Sequence, residues 1–176
     1  YEVKQVHATT SPSMDIQISS NFERLLFEAT GRDSAVIRAL MGSLSQSGRF
    51  VLSDAVLKQV REDFDAGRAD ETETSAAIRA AWREAGELVD PHTAVALAVA
   101  DQDKPVSTVP NIVLSTAHAA KFPDAVEAAC SVRPQLPAWL DGLMTKSEHI
   151  KVMKNDQADV ERFILSVSRA AKQGIA

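Results

Sequence analysis

Apolar side chains recur along this chain at changing intervals, and each interval predicts an element. Val3-Lys4-Gln5-Val6-His7 alternates with period two, the mark of a strand. After a loop around Pro12, the spacing lengthens. Phe22, Leu25, Leu26 and Ala29 form a helical stripe opened by a capping box of Ser20 with Glu23 and ended near Gly31. Ser34 to Leu44 repeats the pattern through Ile37, Leu40, Met41 and Leu44, with Gly48 as the break. Ser53 caps a helix of Val56, Leu57, Val60 and Phe64 that runs to Gly67. The acidic run Asp70-Glu71-Thr72-Glu73 suits the positive end of a further helix, whose seam is Ile78, Ala81, Trp82, Ala85 and Leu88. Asp90-Pro91, a capping residue followed by proline, predicts another helix start.

The second half alternates strand and helix. Asn111 to Ser115, a short apolar run after Pro105 and Pro110, reads as a buried strand of a parallel sheet. Phe122-Pro123 opens a helix to about Cys130, and Arg133 to Trp139 is a loop or short helical turn. His149 to Lys154 alternates Ile150 and Val152 with lysines, as a half-exposed strand would. Asp156 caps a last helix, packed through Val160, Phe163, Ile164 and Val167 and ending near Gly174. The order is that of an α/β chain dominated by helix. Its strands are too few to close a doubly wound sheet, so the others are expected upstream of Tyr1.

Composition narrows the class. With 45% apolar and 24% charged residues among 176, the chain has the balance of a soluble globular protein. A net charge of −5, with Lys and Arg scattered singly, argues against a nucleic-acid surface. The longest apolar run, Ala94 to Ala100, cannot span a bilayer, and Tyr1-Glu2-Val3-Lys4 does not resemble a signal peptide. The single cysteine, Cys130, reads as core packing and fits a cytoplasmic setting.

Candidate chemistry gathers at three places. In open α/β sheets ligands bind beyond the carboxyl ends of strands, and Ser115-Thr116-Ala117-His118 is such a junction. A hydroxyl there can bind a ligand or merely cap the turn. His118 and Lys121 flank the same turn, where an imidazole and an ammonium can serve a phosphorylated substrate or lie solvated. Asp90-Pro91-His92 sets an acid and an imidazole at a helix N-terminus, a setting that favours anions. Asp90 reads first as a cap, and His92 either orients neighbours or is a satisfied core histidine. The third place is the N-terminal loop, with Ser11, Ser13, Asp15, Ser19, Asn21 and Arg24; Arg24 is a natural fork for phosphate or carboxylate. The seven glycines never cluster, so no backbone phosphate cradle is expected, and four dispersed histidines with one cysteine argue against a metal site.

Four segments together resemble the C-terminal part of threonine synthase. They are Ser11-Pro12-Ser13-Met14-Asp15-Ile16, Ser19-Ser20-Asn21-Phe22-Glu23-Arg24, Asp90-Pro91-His92-Thr93-Ala94 and Leu114-Ser115-Thr116-Ala117-His118, which continues into Ala119-Ala120-Lys121-Phe122-Pro123. The resemblance implies the helix-rich C-terminal part of a type II pyridoxal-phosphate enzyme fold. Residues 1–176 would be a single fragment of a longer enzyme that converts O-phosphohomoserine and water to L-threonine and phosphate. It implies cofactor contacts from Thr116, or failing that Ser115, and from His92. Substrate contacts would come from Arg24, Asn21, His118 and Lys121. The Schiff-base lysine and glycine-rich phosphate loop are expected upstream, so the chain alone would be inactive. Ala119 departs from the family motif, which usually has proline there. Another type II lyase or dehydratase and a non-catalytic helical interaction domain are the alternatives; the Ser-Pro-Ser-Met-Asp and Asp-Pro-His segments favour threonine synthase.

Overall fold

The computed structural model describes residues 1–102 and 108–172. Pro105 and Gly174, named above as a turn and a helix end, lie outside these residues. The chain divides into two compact units, Tyr1–Gln135 and Leu136–Ala176.

Among the described residues the first unit holds six α-helices: α1 (Ser20–Ala29), α2 (Ser34–Ser47), α3 (Asp54–Asp63), α4 (Glu71–Ala85), α5 (Pro91–Gln102) and α6 (Pro123–Cys130). They build two apolar cores. Leu26, Ile37, Leu44 and Phe50 form one, with Phe22, Phe27, Leu40, Met41, Leu52 and Val56 around them, where α1 packs on α2 and α3. Ile78, Ala94, Ala119, Val126 and Ala129 form the other, where α4 packs on α5 and α6. Local chemistry starts these helices where side chains can satisfy their free amides. Asp33 accepts from Ala35 and Val36, Ser53 from Val56, and Asp70 exchanges bonds with Glu73 in a reciprocal box. Gly86 ends α4 in the left-handed region at φ 71°.

Several boundaries differ from those the pattern predicts. The Ser20–Glu23 capping box is not formed: Ser19 stands at the cap of α1 and its side chain makes no capping bond. α3 ends at Asp63 rather than Gly67, and Phe64 is extended and exposed. Asp65 turns to its neighbour, accepting from the Ala66 amide at 2.8 Å, the local bonding by which aspartate competes with helix. Gly67 has another use. A Cβ there would lie 2.5 Å from Val99 Cγ1, so the absence of a side chain lets this loop approach α5. The seam of α4 is buried at Thr74 and Ile78, while Ala81 and Trp82 are half-buried and Ala85 is exposed.

The predicted strands are the main correction. Among the described residues there are only two isolated bridges, Glu2 with Arg49 and Val89 with His118. Val3 to His7 has too short a partner: Tyr1 and Phe50 exchange backbone bonds at 2.9 Å and Val3 donates to Gly48 at 2.8 Å, but Ser53 then caps α3. Asn111 to Ser115 is without assigned strand structure and, among the described residues, forms no ladder; Ile112 and Leu114 are 80% and 72% exposed. A strand exists only against a neighbour, and a parallel one draws its neighbours from distant sequence.

Among the described residues the second unit carries two 3-10 turns, α7 (Gln157–Val167) and α8 (Arg169–Lys172). Asp156 caps α7 by accepting from the Asp159 amide. His149 to Lys154 is likewise without strand structure, with Ile150 and Val152 exposed. Phe163 is half-buried and Lys151 Nζ sits 4.2 Å from its ring centroid, whereas Val160, Ile164 and Val167 are exposed.

Candidate functional site

The start of α5 is the most densely bonded polar point among the described residues. Asp90 is 0% exposed. Its Oδ1 accepts from the His92 amide and from His92 Nδ1, each at 2.9 Å. Its Oδ2 accepts from the Thr93 amide at 3.4 Å and from the Thr93 hydroxyl. A carboxylate offers about four acceptor positions, and here four donors meet them. Those bonds, with the positive end of the helix dipole, make burial of the carboxylate tolerable.

His92 links this cap to the N-terminal loop. The Ser13 amide donates to His92 Nε2 at 3.3 Å, so that nitrogen is the acceptor and the ring proton lies on Nδ1, facing Asp90. The ring packs against Phe122 at 4.8 Å between centroids. The loop has its own network. Asp15 accepts from the Thr9 amide and hydroxyl, both at 2.7 Å, and buried Ser11 donates its amide to Thr9 Oγ1 at 3.1 Å. The Ser-Pro-Ser-Met-Asp and Asp-Pro-His segments, distant in sequence, therefore form one assembly.

Residues 111–116 pass beside α5 and line two clefts with it. Thr116 lines an open cleft of about 510 Å³ with Met14, His92, Val95 and Val99. Ser115 lines a second cleft with Thr93, Leu97 and Ala81, and its hydroxyl lies 3.4 Å from Thr93 Oγ1. The two neighbouring hydroxyls therefore line different clefts. Both residues are exposed, and among the described residues no hydrogen bond is assigned to the Thr116 hydroxyl. His118 and Lys121 follow at the exposed turn: His118 Nδ1 accepts from the Ala120 amide at 3.1 Å, and Lys121 Nζ lies 5.7 Å from the Phe122 ring centroid.

Arg24 and Asn21 sit elsewhere. They line a cleft between α1 and α2 with Ser34 and Arg38, and Arg24 Nη2 donates to Asn21 Oδ1. The structure thus brings His92 to Thr116 and sets Arg24 and Asn21 in a separate cleft. The roles of Thr93 and Arg38, and the reach of Ser13 to His92, escaped the sequence reading. Thr93 is the third residue of a helix capped by aspartate, a spacing that signals it; Ser13, acting through its amide, and Arg38 carry no such signal. Among the described residues no three His, Cys, Asp or Glu side chains converge on a metal position, and no helix is long and apolar enough to cross a membrane.

A family model described as threonine synthase, C-terminal, matches residues 93–164. A threonine synthase of Pseudomonas aeruginosa is 38% identical over 165 residues, covering 93% of this chain and 35% of the relative. A crystal structure of pyridoxal-phosphate-bound threonine synthase from Brucella melitensis superposes with a TM-score of 0.82 at 53% identity, covering 97% of this chain and 36% of that one. Yeast threonine synthase gives 0.76 at 30% identity, over 98% of this chain and 38% of that one. The chain spans about a third of the length of these relatives.

Proposed function

We propose that this chain, which belongs to the threonine synthase family and matches its C-terminal part, supplies one wall of the active-site cleft of a longer pyridoxal-phosphate enzyme. Its fold is the helix-rich C-terminal part of the type II class. The reaction is O-phosphohomoserine and water to L-threonine and phosphate, in the cytoplasm. The observation that carries this reading is Thr116: a hydroxyl with no assigned partner among the described residues, at the mouth of a cleft it shares with buried His92.

The residues present fit the ring-nitrogen side of the cofactor and not its phosphate. Thr116 can donate to a pyridine nitrogen as a neutral partner that does not protonate it, while no run of glycines offers a cradle of amides. When bound, pyridoxal phosphate withdraws electrons and acidifies carbon-bound protons of an amino-acid substrate. The chain does the positioning. Met14, Val95 and Val99 give the cleft an apolar wall that excludes water beside the ring, and His92, held by Asp90 and Ser13, fixes the floor. Arg24, with Asn21, is assigned to the substrate phosphate, which suits a guanidinium fork, and His118 and Lys121 are further polar groups for the substrate. The exposed Ile112 and Leu114 are read as strand residues whose neighbours belong to the remaining two-thirds of the enzyme.

In the full-length enzyme, phosphate and threonine should form from O-phosphohomoserine in equal amounts, and the isolated chain should form neither. Thr116→Val should slow turnover about three- to a hundredfold, since losing a hydrogen bond and stranding its partner costs about 0.5–3 kcal/mol. Its melting temperature should stay within a few degrees of the parent. Conversion of serine or threonine to an oxo acid, with no phosphate release, would assign the chain to a dehydratase instead. Unchanged turnover with a lowered melting point would make Thr116 a structural cap.

A further inference from the structure

We propose that Asp90 and Thr93, acting through Ser115, form a positioning set that aims the Thr116 hydroxyl into the cleft it shares with His92. The inference rests on the reading of Thr116 given above and adds the residues that hold it. A threonine hydroxyl has one hydrogen. Thr93 Oγ1 lies beside both Asp90 Oδ2 and Ser115 Oγ, and the carboxylate can only accept, so it takes that hydrogen. Ser115 Oγ sits 3.4 Å from that same oxygen, against a hydroxyl that Asp90 already holds. Ser115 thus lines the cleft of Thr93 and Leu97 and not the one that Thr116 shares with His92.

That placement has a mechanical result. Residues 111–116 form no ladder among the described residues, and what ties their end is the Ser115–Thr93 bond and, just beyond, the Val89–His118 bridge. Thr93 is itself buried and immobilised, by Asp90 on its hydroxyl and by the first turn of α5 on its backbone. With Ser115 held in the cleft of Thr93 and Leu97, Thr116 is left to line the other cleft, beside His92. Ser115 therefore acts on the ligand through Thr116 and does not touch it.

The experiment measures pyridoxal-phosphate affinity of the full-length enzyme by fluorescence titration, alongside thermal melting. Thr116→Val should weaken binding about two- to tenfold, the size of one neutral hydrogen bond. Ser115→Ala leaves Asp90 with all four donors, so melting should hold; binding should weaken by a factor smaller than that of Thr116→Val. The double variant should bind no worse than Thr116→Val alone, because one residue acts through the other. Thr93→Val should copy Ser115→Ala in affinity with a lower melting point, and Thr93→Ser should restore both. Additive losses from Ser115→Ala and Thr116→Val, or no loss from Ser115→Ala, would overturn the positioning set while the role of Thr116 stands. No loss from Thr116→Val would overturn that role and the set with it.

Discussion

The start of α5 and the stretch from Asn111 to Thr116 lie side by side, yet they differ in how far this chain can complete them. At Asp90 every buried donor and acceptor finds its partner within the described residues, and the carboxylate is fully covered. At Ile112 and Leu114 the most apolar side chains of the neighbouring segment stand in solvent. Helix caps draw their bonds from three or four residues away, whereas a parallel strand needs neighbours contributed by distant sequence. The contrast separates what near neighbours complete in this fold from what they leave exposed.

Leu114→Ala is the sharpest way to break the comparison. An exposed apolar side chain is usually worth within about 0.5 kcal/mol, but truncating a buried leucine costs about 2–5 kcal/mol. In the full-length enzyme we expect the larger figure, read as a shift in the denaturant midpoint; a neutral result would show that the segment is a surface in the parent as well. Asp90→Ala tests the other side. Loss of the cap, with the amides and hydroxyl it satisfies, should cost about 2–4 kcal/mol, and Asp90→Asn should recover part because asparagine also caps.

Gly67→Ala should come next, at about 1–3 kcal/mol, because the new methyl would overlap Val99 and push the loop from α5. A melting curve equal to the parent's would show that the approach is slack. Arg24→Lys should affect stability least. It lies on the other core, between α1 and α2, and keeps its charge while losing the fork. An increase of about tenfold in KM for O-phosphohomoserine, with cofactor affinity unchanged, is the expected result. An unchanged KM would remove Arg24 from the substrate.

Local rules made most helices readable in advance. Asp70, Ser53, Asp156 and Asp90-Pro91 mark helix starts because capping is a contact between near neighbours. Gly48 stands just past the end of α2 for the same kind of reason. Ser20 misled because its neighbour Ser19 competes for the same role. The apolar run in 111–115 and the alternation in 149–154 predict strands that do not form among the described residues, because neither pattern says where a partner strand lies. The site was legible to the same extent. The Asp-Pro-His segment and the Ser-Thr hydroxyls could be picked out as polar groups near predicted helix and strand ends. That Ser13 would reach His92 could not, since a backbone amide leaves no mark in the sequence.

The Ser13–His92 bond joins positions 79 residues apart. Its acceptor is oriented only once the first turn of α5 exists and Asp90 has taken up the opposite ring nitrogen. Closing so long a loop also carries an entropic cost that nearby contacts do not. The hold of the N-terminal loop on the wall therefore depends on the start of α5, whose first turn orients the acceptor that the loop uses. Whatever loosens the cap of α5 thus also loosens a loop that stands 79 residues earlier in the chain.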